Sequence, residues 1–151
     1  MNFVLDTNIL LGYLQGKTFV KEAFEALNLL NSEDPLIISA VSAGELLSLA
    51  KQRAWSDTKY LQLNNFIEQF LIIPVESKNL LERYAEIDAY SQGKLLDKPL
   101  PQGISARNMG KNDLWIAATA SLIDGILLTT DKDFLHLHKI YFELKIVEVY
   151  T

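Results

Sequence analysis

Apolar residues in this chain fall into two alternating patterns: short solid runs, and longer stretches with helical spacing. The solid runs are Phe3-Val4-Leu5, Leu36-Ile37-Ile38, Leu71-Ile72-Ile73 and Ile126–Leu128, with a final one at Ile146–Val149. Runs this short, bounded by turn residues, read as strands buried on both faces. The intervening stretches read as helices: Ile9–Leu14, Phe19–Leu30, Val41–Arg53, Thr58–Phe70, one running from a Ser77 cap to about Gln92, and Leu114–Ile123. Gly125 sits where a helix end favours a left-handed residue. Residues 93–110, with Pro99, Pro101 and Gly103, read as a loop, and a short helical turn is expected after Asp131. Strands alternating with helices predict an α/β protein: a three-layer α/β/α fold around a mostly parallel sheet of about five strands, forming one domain over 1–151.

The stretch Gly110–Phe134 organises the rest. Asn112-Asp113 opens its helix, and Thr129-Thr130-Asp131 closes its strand. About eleven helical residues at about 1.5 Å each descend about 16 Å. About five strand residues at about 3.3 Å each climb back the same distance, so Asp113 and Asp131 are expected at one edge. Asp6 directly follows the first strand, and Glu45 lies in the first turns of the helix after the second. In an open parallel sheet, function collects where strand C-termini meet helix N-termini, and all four acids are predicted there.

Each acid also has a purely structural reading. Asp6 and Asp131 suit helix caps. Ser42-Ala43-Gly44-Glu45 matches a capping box, and Glu45 shares a polar stripe with Ser42, Ser48 and Gln52. Asp113 suits a first helical turn. Capping explains each singly but not their convergence. Crowded carboxylates repel, and a hard divalent cation removes that penalty. A donor set of carboxylates favours Mg²⁺, or Mn²⁺, over Zn²⁺. Such an ion polarises a phosphoryl group and lowers the pKa of bound water, which points to metal-assisted phosphoryl transfer or hydrolysis.

Composition narrows this further. The hydrophobic share of 49% excludes a disordered chain, and the absence of cysteine excludes disulfides, thiolate metal sites and a cysteine nucleophile. No signal peptide is evident, because Asp6 interrupts the first apolar run. No apolar run approaches the roughly 20 residues that span a bilayer. A cytoplasmic protein without membrane association is expected. The net charge of −5 argues against nonspecific coating of nucleic acid, but clustered acids neutralised by metal weaken that objection.

Phe3-Val4-Leu5-Asp6-Thr7-Asn8, Glu45 after Ser39, Asn112-Asp113-Leu114-Trp115-Ile116-Ala117-Ala118, and Leu127-Leu128-Thr129-Thr130-Asp131-Lys132-Asp133-Phe134 together resemble the PIN domain. The likeness is greatest to the small VapC-like toxins of bacterial type II toxin–antitoxin pairs, and it covers essentially the whole chain. It implies a Mg²⁺-dependent ribonuclease that hydrolyses RNA, forms a homodimer and is held inactive by a cognate antitoxin. The family's acidic positions fall on Asp6, Glu45, Asp113 and Asp131. The resemblance implies direct metal ligation by Asp6 and Asp113, with Glu45 and Asp131 completing the pocket. Thr7, Asn8, Asn112 and Thr129 would support the ligands or orient substrate.

Between Gly93 and Lys111 lie Lys94, Lys98, Arg107 and Lys111 against a single acid, Asp97. This reads as a solvated loop or as an arm that receives phosphates; Arg107 and Lys111 are nearest the acids in sequence. His136 and His138 are spaced i, i+2, off a shared helix face, and Asp133 reads as a cap of the short helix near Phe134 or as a group that binds metal through water. Trp55 and Trp115 read as core or interface. The apolar face of Phe19–Leu30 reads as core or as part of a groove that takes an antitoxin helix. Other classes fit less well. A haloacid-type phosphatase needs an Asp where Asn8 stands, and a receiver domain needs one where Pro74-Val75 stands. A PIN module without turnover is disfavoured by the intact acidic set.

Overall fold

Every apolar run proposed above except the last is a strand at its expected place. A computed structural model describes residues 1–150. Strands β1 (Phe3–Leu5), β2 (Ile37–Ser39), β3 (Leu71–Ile73), β4 (Ile126–Thr129) and β5 (Glu143–Ile146) form one sheet in the order β3-β2-β1-β4-β5. Every pairing is parallel. Helices α1 (Thr7–Leu14), α2 (Thr18–Ala26), α3 (Ala40–Gln52), α4 (Asp57–Ile67), α5 (Lys78–Ser91) and α6 (Lys111–Leu122) connect the strands.

Period-two alternation divides the core. Val4, Ile37, Leu127 and Leu144 face α5 and α6, where they pack with Leu80, Ile87 and Ile116. Leu5, Ile38 and Leu128 face the other layer, where they meet Ile9, Val20, Leu46 and Leu63. The central strands are therefore apolar on both faces and appear as solid runs in sequence. No helix is long and apolar enough to cross a membrane among the described residues.

Three local expectations change. The last strand is Glu143–Ile146, not Ile146–Val149. As an edge strand it exposes Glu143 and Lys145 while Leu144 is buried, an alternation that a search for solid runs passes over. The left-handed residue after α6 is Asp124, at φ 52°, not Gly125. Gly125 is required for closeness instead: a Cβ there would lie 3.1 Å from the Asn2 carbonyl oxygen and 3.3 Å from Val4 Cγ2. Helix α2 stops at Ala26, because Asn28 turns left-handed at φ 54° before a 3₁₀ turn at Leu29–Asn31. Asparagine tolerates that conformation better than branched residues do.

Strand order reverses at β1: the chain leaves it for β2 on one side and returns later to place β4 on the other. The crevice above that switch point, at the strands' C-terminal ends, is the place where such sheets hold ligands.

Candidate functional site

Asp6 stands at the switch point. Its backbone N–H continues the β1–β4 ladder by donating to the Leu128 carbonyl at 3.0 Å, and the chain then turns into α1. Asp6 caps that helix, with Oδ1 accepting from the Thr7 N–H at 2.8 Å. Its other oxygen, Oδ2, accepts from Thr129 Oγ1 at 2.6 Å. The capping reading is thus correct, and it leaves the second oxygen aimed across the sheet. Asp6 is only 5% exposed.

Thr129 ends β4 and is fully buried. Its hydroxyl donates to Asp6 and accepts from the Asp131 N–H at 3.0 Å. One side chain therefore sets the spacing of two acids from neighbouring strands. Asp131 caps a 3₁₀ helix, Lys132–Leu137, through Oδ1 on the Asp133 N–H at 2.8 Å.

Glu45 arrives from the other flank. Helix α3 is capped by Ser39, whose Oγ accepts from the Val41 N–H at 3.1 Å, so the Ser42–Glu45 capping box does not form. Glu45 instead takes a hydrogen bond from Thr7 Oγ1 at 2.8 Å, and Ser42 Oγ lies 2.9 Å from the same hydroxyl. Thr7 has one hydroxyl proton, and a carboxylate is the better acceptor. Ser42 therefore donates to Thr7, which donates to Glu45. The sequence suggests Ser42 as a helix cap or as part of a polar stripe; its i, i+3 spacing to Glu45 is instead the signal for this relay.

Asp113 lies in the first turn of α6, half-buried, and its side chain makes no hydrogen bond among the described residues. Burial, then the charges of Asp6, Asp131, Glu45 and Asp133, raise its pKa to about 6. Asp6 also rises to about 6, chiefly through burial; the hydrogen bonds from Thr129 and Thr7 oppose the rise, and Glu45 and Asp131 add to it. Each of these two carboxyls thus resists ionisation because of burial and because of other acids. That is the electrostatic condition under which a cation binds with gain. Among the described residues no three acids close around a single ion. Mg²⁺ requires only one or two carboxylates and fills its remaining positions with water and phosphate oxygens. The donor set fits a hard divalent cation.

Hollows lie on either side of the acids. One, of about 610 Å³, is lined by Thr7, Glu45, Ser48, Gln52 and Asn112. The other, of about 320 Å³, is lined by Arg107, Asn108, Asp113 and Asp133. Of the expected supporting residues, Thr7, Thr129, Asn112 and Arg107 are at the site. Asn8 is exposed on α1, and its side chain makes no hydrogen bond among the described residues. Lys111 is exposed at the start of α6, and Lys94 is exposed in the loop. Lys98 turns to Glu86 at 3.6 Å and over the Tyr141 ring at 4.2 Å. His138 is structural, its Nδ1 accepting from the Leu144 N–H at 2.9 Å. Trp115 packs on Tyr84 at 4.1 Å between centroids, and Trp55 lies under Lys59 at 4.0 Å.

The fold recurs in chains of toxin–antitoxin complexes. A chain of Rickettsia felis VapBC2, solved bound to a DNA fragment from its promoter, superposes with a TM-score of 0.71 at 20% identity, covering 97% of this chain and 98% of that one. For VapBC-1 of nontypeable Haemophilus influenzae the TM-score is 0.72 at 21% identity, with 97% and 98% covered. A toxin–antitoxin complex from Klebsiella pneumoniae gives 0.58 at 27% identity, with 87% and 88% covered. No curated protein sequence matches the chain. The sequence model of the PIN domain matches residues 3–140, which takes in all four acids and every strand up to β4. A match over this much of the chain settles the family: the chain belongs to the PIN domain family.

Proposed function

We propose that this protein is a Mg²⁺-dependent endoribonuclease that hydrolyses RNA phosphodiester bonds and acts as the toxin of a type II toxin–antitoxin pair. The observation that carries the reading is that Asp113 lies within electrostatic reach of Asp6, Asp131 and Glu45, with the pKa values of Asp6 and Asp113 each raised to about 6. Asp6 and Asp113 would hold the ion directly, and Glu45 and Asp131 would complete the pocket and orient a water. The bound ion, Mg²⁺ or Mn²⁺, supplies positive charge that polarises a phosphate and acidifies water.

The chain's own groups do the positioning. Thr129 fixes the Asp6 carboxylate and the Asp131 backbone, and Thr7 holds Glu45 toward the same crevice. Asn112 and Arg107 line the hollows on either side, where a strand crossing the edge would rest. The toxin assignment is supported by the superpositions on chains of toxin–antitoxin complexes. It carries with it a cognate antitoxin, a homodimer and a cytoplasmic site of action.

The test is cleavage of structured and unstructured RNAs by the protein purified free of antitoxin, with Mg²⁺ or with EDTA. Wild type should cut only with Mg²⁺. Asp6→Asn and Asp113→Asn should each lose at least about 100-fold, since even groups that only support a metal ligand cost 10–100-fold when removed. Equal cleavage by all three proteins would identify a contaminating nuclease and end the reading.

A further inference from the structure

Arg107 is placed unusually for a cation beside acids. The ion pairs among the described residues are Met1–Asp34, Lys78–Glu82 and Lys98–Glu86, and Arg107 is in none of them. Among the described residues its guanidinium makes one long contact, Nη1 to the Asp133 carbonyl at 3.5 Å. Most of its donors therefore remain available, although Asp113 and Asp133 line the same hollow.

The backbone at Arg107 is held from beneath. Its N–H donates to the Ser91 carbonyl at 2.7 Å, at the last residue of α5. Ser91 is fully buried, and its Oγ lies 2.7 Å from His136 Nε2 and 3.4 Å from Met109 Sδ. His136 is itself 5% exposed, on the 3₁₀ helix that starts just after Asp131. Burial, then the charge of Arg107, lowers its pKa to about 4 against a weaker opposing pull from Asp133. A neutral imidazole binds the Ser91 hydroxyl without placing a second cation beside Arg107. Three segments distant in sequence are thereby joined: the end of α5, the loop before α6, and the turn that carries Asp131 and Asp133.

Without Arg107, the only charged side chains lining this hollow are Asp113 and Asp133, which would repel a polyanion. With it, the hollow presents planar, unpaired donors suited to phosphate oxygens. We propose that the hollow receives the RNA backbone phosphate next to the one that is cleaved, with Arg107 as its docking group and Ser91 and His136 as the positioning residues that hold Arg107 in place. This subsite rests on the nuclease reading above.

The test compares wild type with Arg107→Ala, Arg107→Lys, Ser91→Ala and His136→Gln, each checked for folding by thermal melting. In Mg²⁺, Arg107→Ala should raise KM for an unstructured RNA about 10-fold and leave kcat within about 2-fold, the cost of one charge-assisted contact. Arg107→Lys should recover part of that loss. In EDTA, binding of the uncut RNA should lose about 0.7 from its log–log salt slope in Arg107→Ala, as for one single-strand phosphate contact. Ser91→Ala and His136→Gln should raise KM in the same direction and add nothing when combined with Arg107→Ala. Unchanged KM and salt slope in an active Arg107→Ala would overturn the subsite while the nuclease stands. Brace variants that melt earlier with KM and slope unchanged would reduce Ser91 and His136 to structural residues. If wild type does not cut RNA, the nuclease reading falls, and the salt slope alone then decides whether Arg107 docks a phosphate.

Discussion

Asp6 and Asp113 reach the same raised pKa by different routes. Asp6 is almost fully buried and carries two hydrogen bonds, from Thr7 and Thr129, that partly offset the cost of burial. Asp113 is half-buried and has no such partner among the described residues; burial and the repulsion of Asp6, Asp131, Glu45 and Asp133 all act in one direction. Asp6 is therefore part of the architecture as well as of the site. Asp113 belongs to the site alone, and the fold bears its charge at a cost. An acid retained against its own electrostatics marks function more sharply than one that also caps a helix.

Alanine substitution should separate the two most strongly. At pH 4 both carboxyls are protonated in the folded state and no charge cost is relieved. There Asp6→Ala removes the α1 cap and leaves the buried Thr129 hydroxyl without its acceptor, so stability should fall by about 2 kcal/mol. Asp113→Ala removes no hydrogen bond among the described residues, and at pH 7 it relieves a charge opposed by burial and by neighbouring acids. After discounting for its partial exposure it should leave stability unchanged or raise it by about 1 kcal/mol. Urea denaturation without metal reads both. Equal losses in the two variants would mean that Asp113 is as structural as Asp6, and the contrast would collapse.

The same contrast shows what could be read from sequence. The central strands β1, β2 and β4 were legible because burial on both faces leaves no polar residue to interrupt them. At one edge, β3 exposes Leu71 and Ile72 and was legible only because its run is solid. At the other edge, β5 alternates Glu143, Leu144, Lys145, Ile146 and was displaced. That Asp113 and Asp131 share an edge follows from counting rises along helix and strand. Asp6 and Glu45 join them because they sit just past a strand's end and in the first turns of the next helix; none of this needs side-chain detail. What could not be read was which hydroxyl serves which acid. The Thr129–Asp6 bond spans 123 residues and the Thr7–Glu45 bond 38, and no local pattern announces a contact between segments so far apart. The Ser42 capping box failed for a related reason. Ser39 had already begun α3, leaving Ser42 inside the helix and free to pair with α1. His136 and Ser91, 45 residues apart, are invisible to spacing rules that look only along one helix.

The two acids should also differ from ordinary carboxylates in how stability follows pH. A carboxyl whose pKa rises from 3.8 to about 6 on folding binds more protons folded than unfolded across that interval. Stability contributed by protonation is then present at low pH and lost as pH rises toward 6. Asp113→Asn, which cannot ionise, should therefore be more stable than metal-free wild type at pH 7 by about 1 kcal/mol, and the gap should close on approach to pH 4. Mn²⁺ should raise the wild-type melting temperature more at pH 7 than at pH 5, because the ion requires deprotonated ligands. A gap that stays constant from pH 4 to pH 7 would show that Asp113 ionises as an ordinary surface acid.

The smallest expected effect tests the hydroxyl relay on the Glu45 flank. Thr7 Oγ1 stands within hydrogen-bond distance of both Glu45 Oε1 and Ser42 Oγ but has one proton. If that proton goes to the carboxylate, Ser42 donates to Thr7 and stands one step behind the acid. Ser42→Ala then leaves the Thr7–Glu45 bond intact and costs the net value of one neutral hydrogen bond, about 1 kcal/mol in stability, with less than about 10-fold in cleavage. Thr7→Val removes the donor to the carboxylate and orphans the buried Ser42 hydroxyl at once, so it should lose more on both counts. The proton could instead run the other way, from Thr7 to Ser42. Ser42→Ala would then free Thr7 to turn toward Glu45 and would tighten that bond rather than leave it unchanged. Cleavage by Ser42→Ala at or above the wild-type rate, with Thr7→Val still impaired, would reverse the direction of the relay and leave Glu45 held by Thr7 only part of the time.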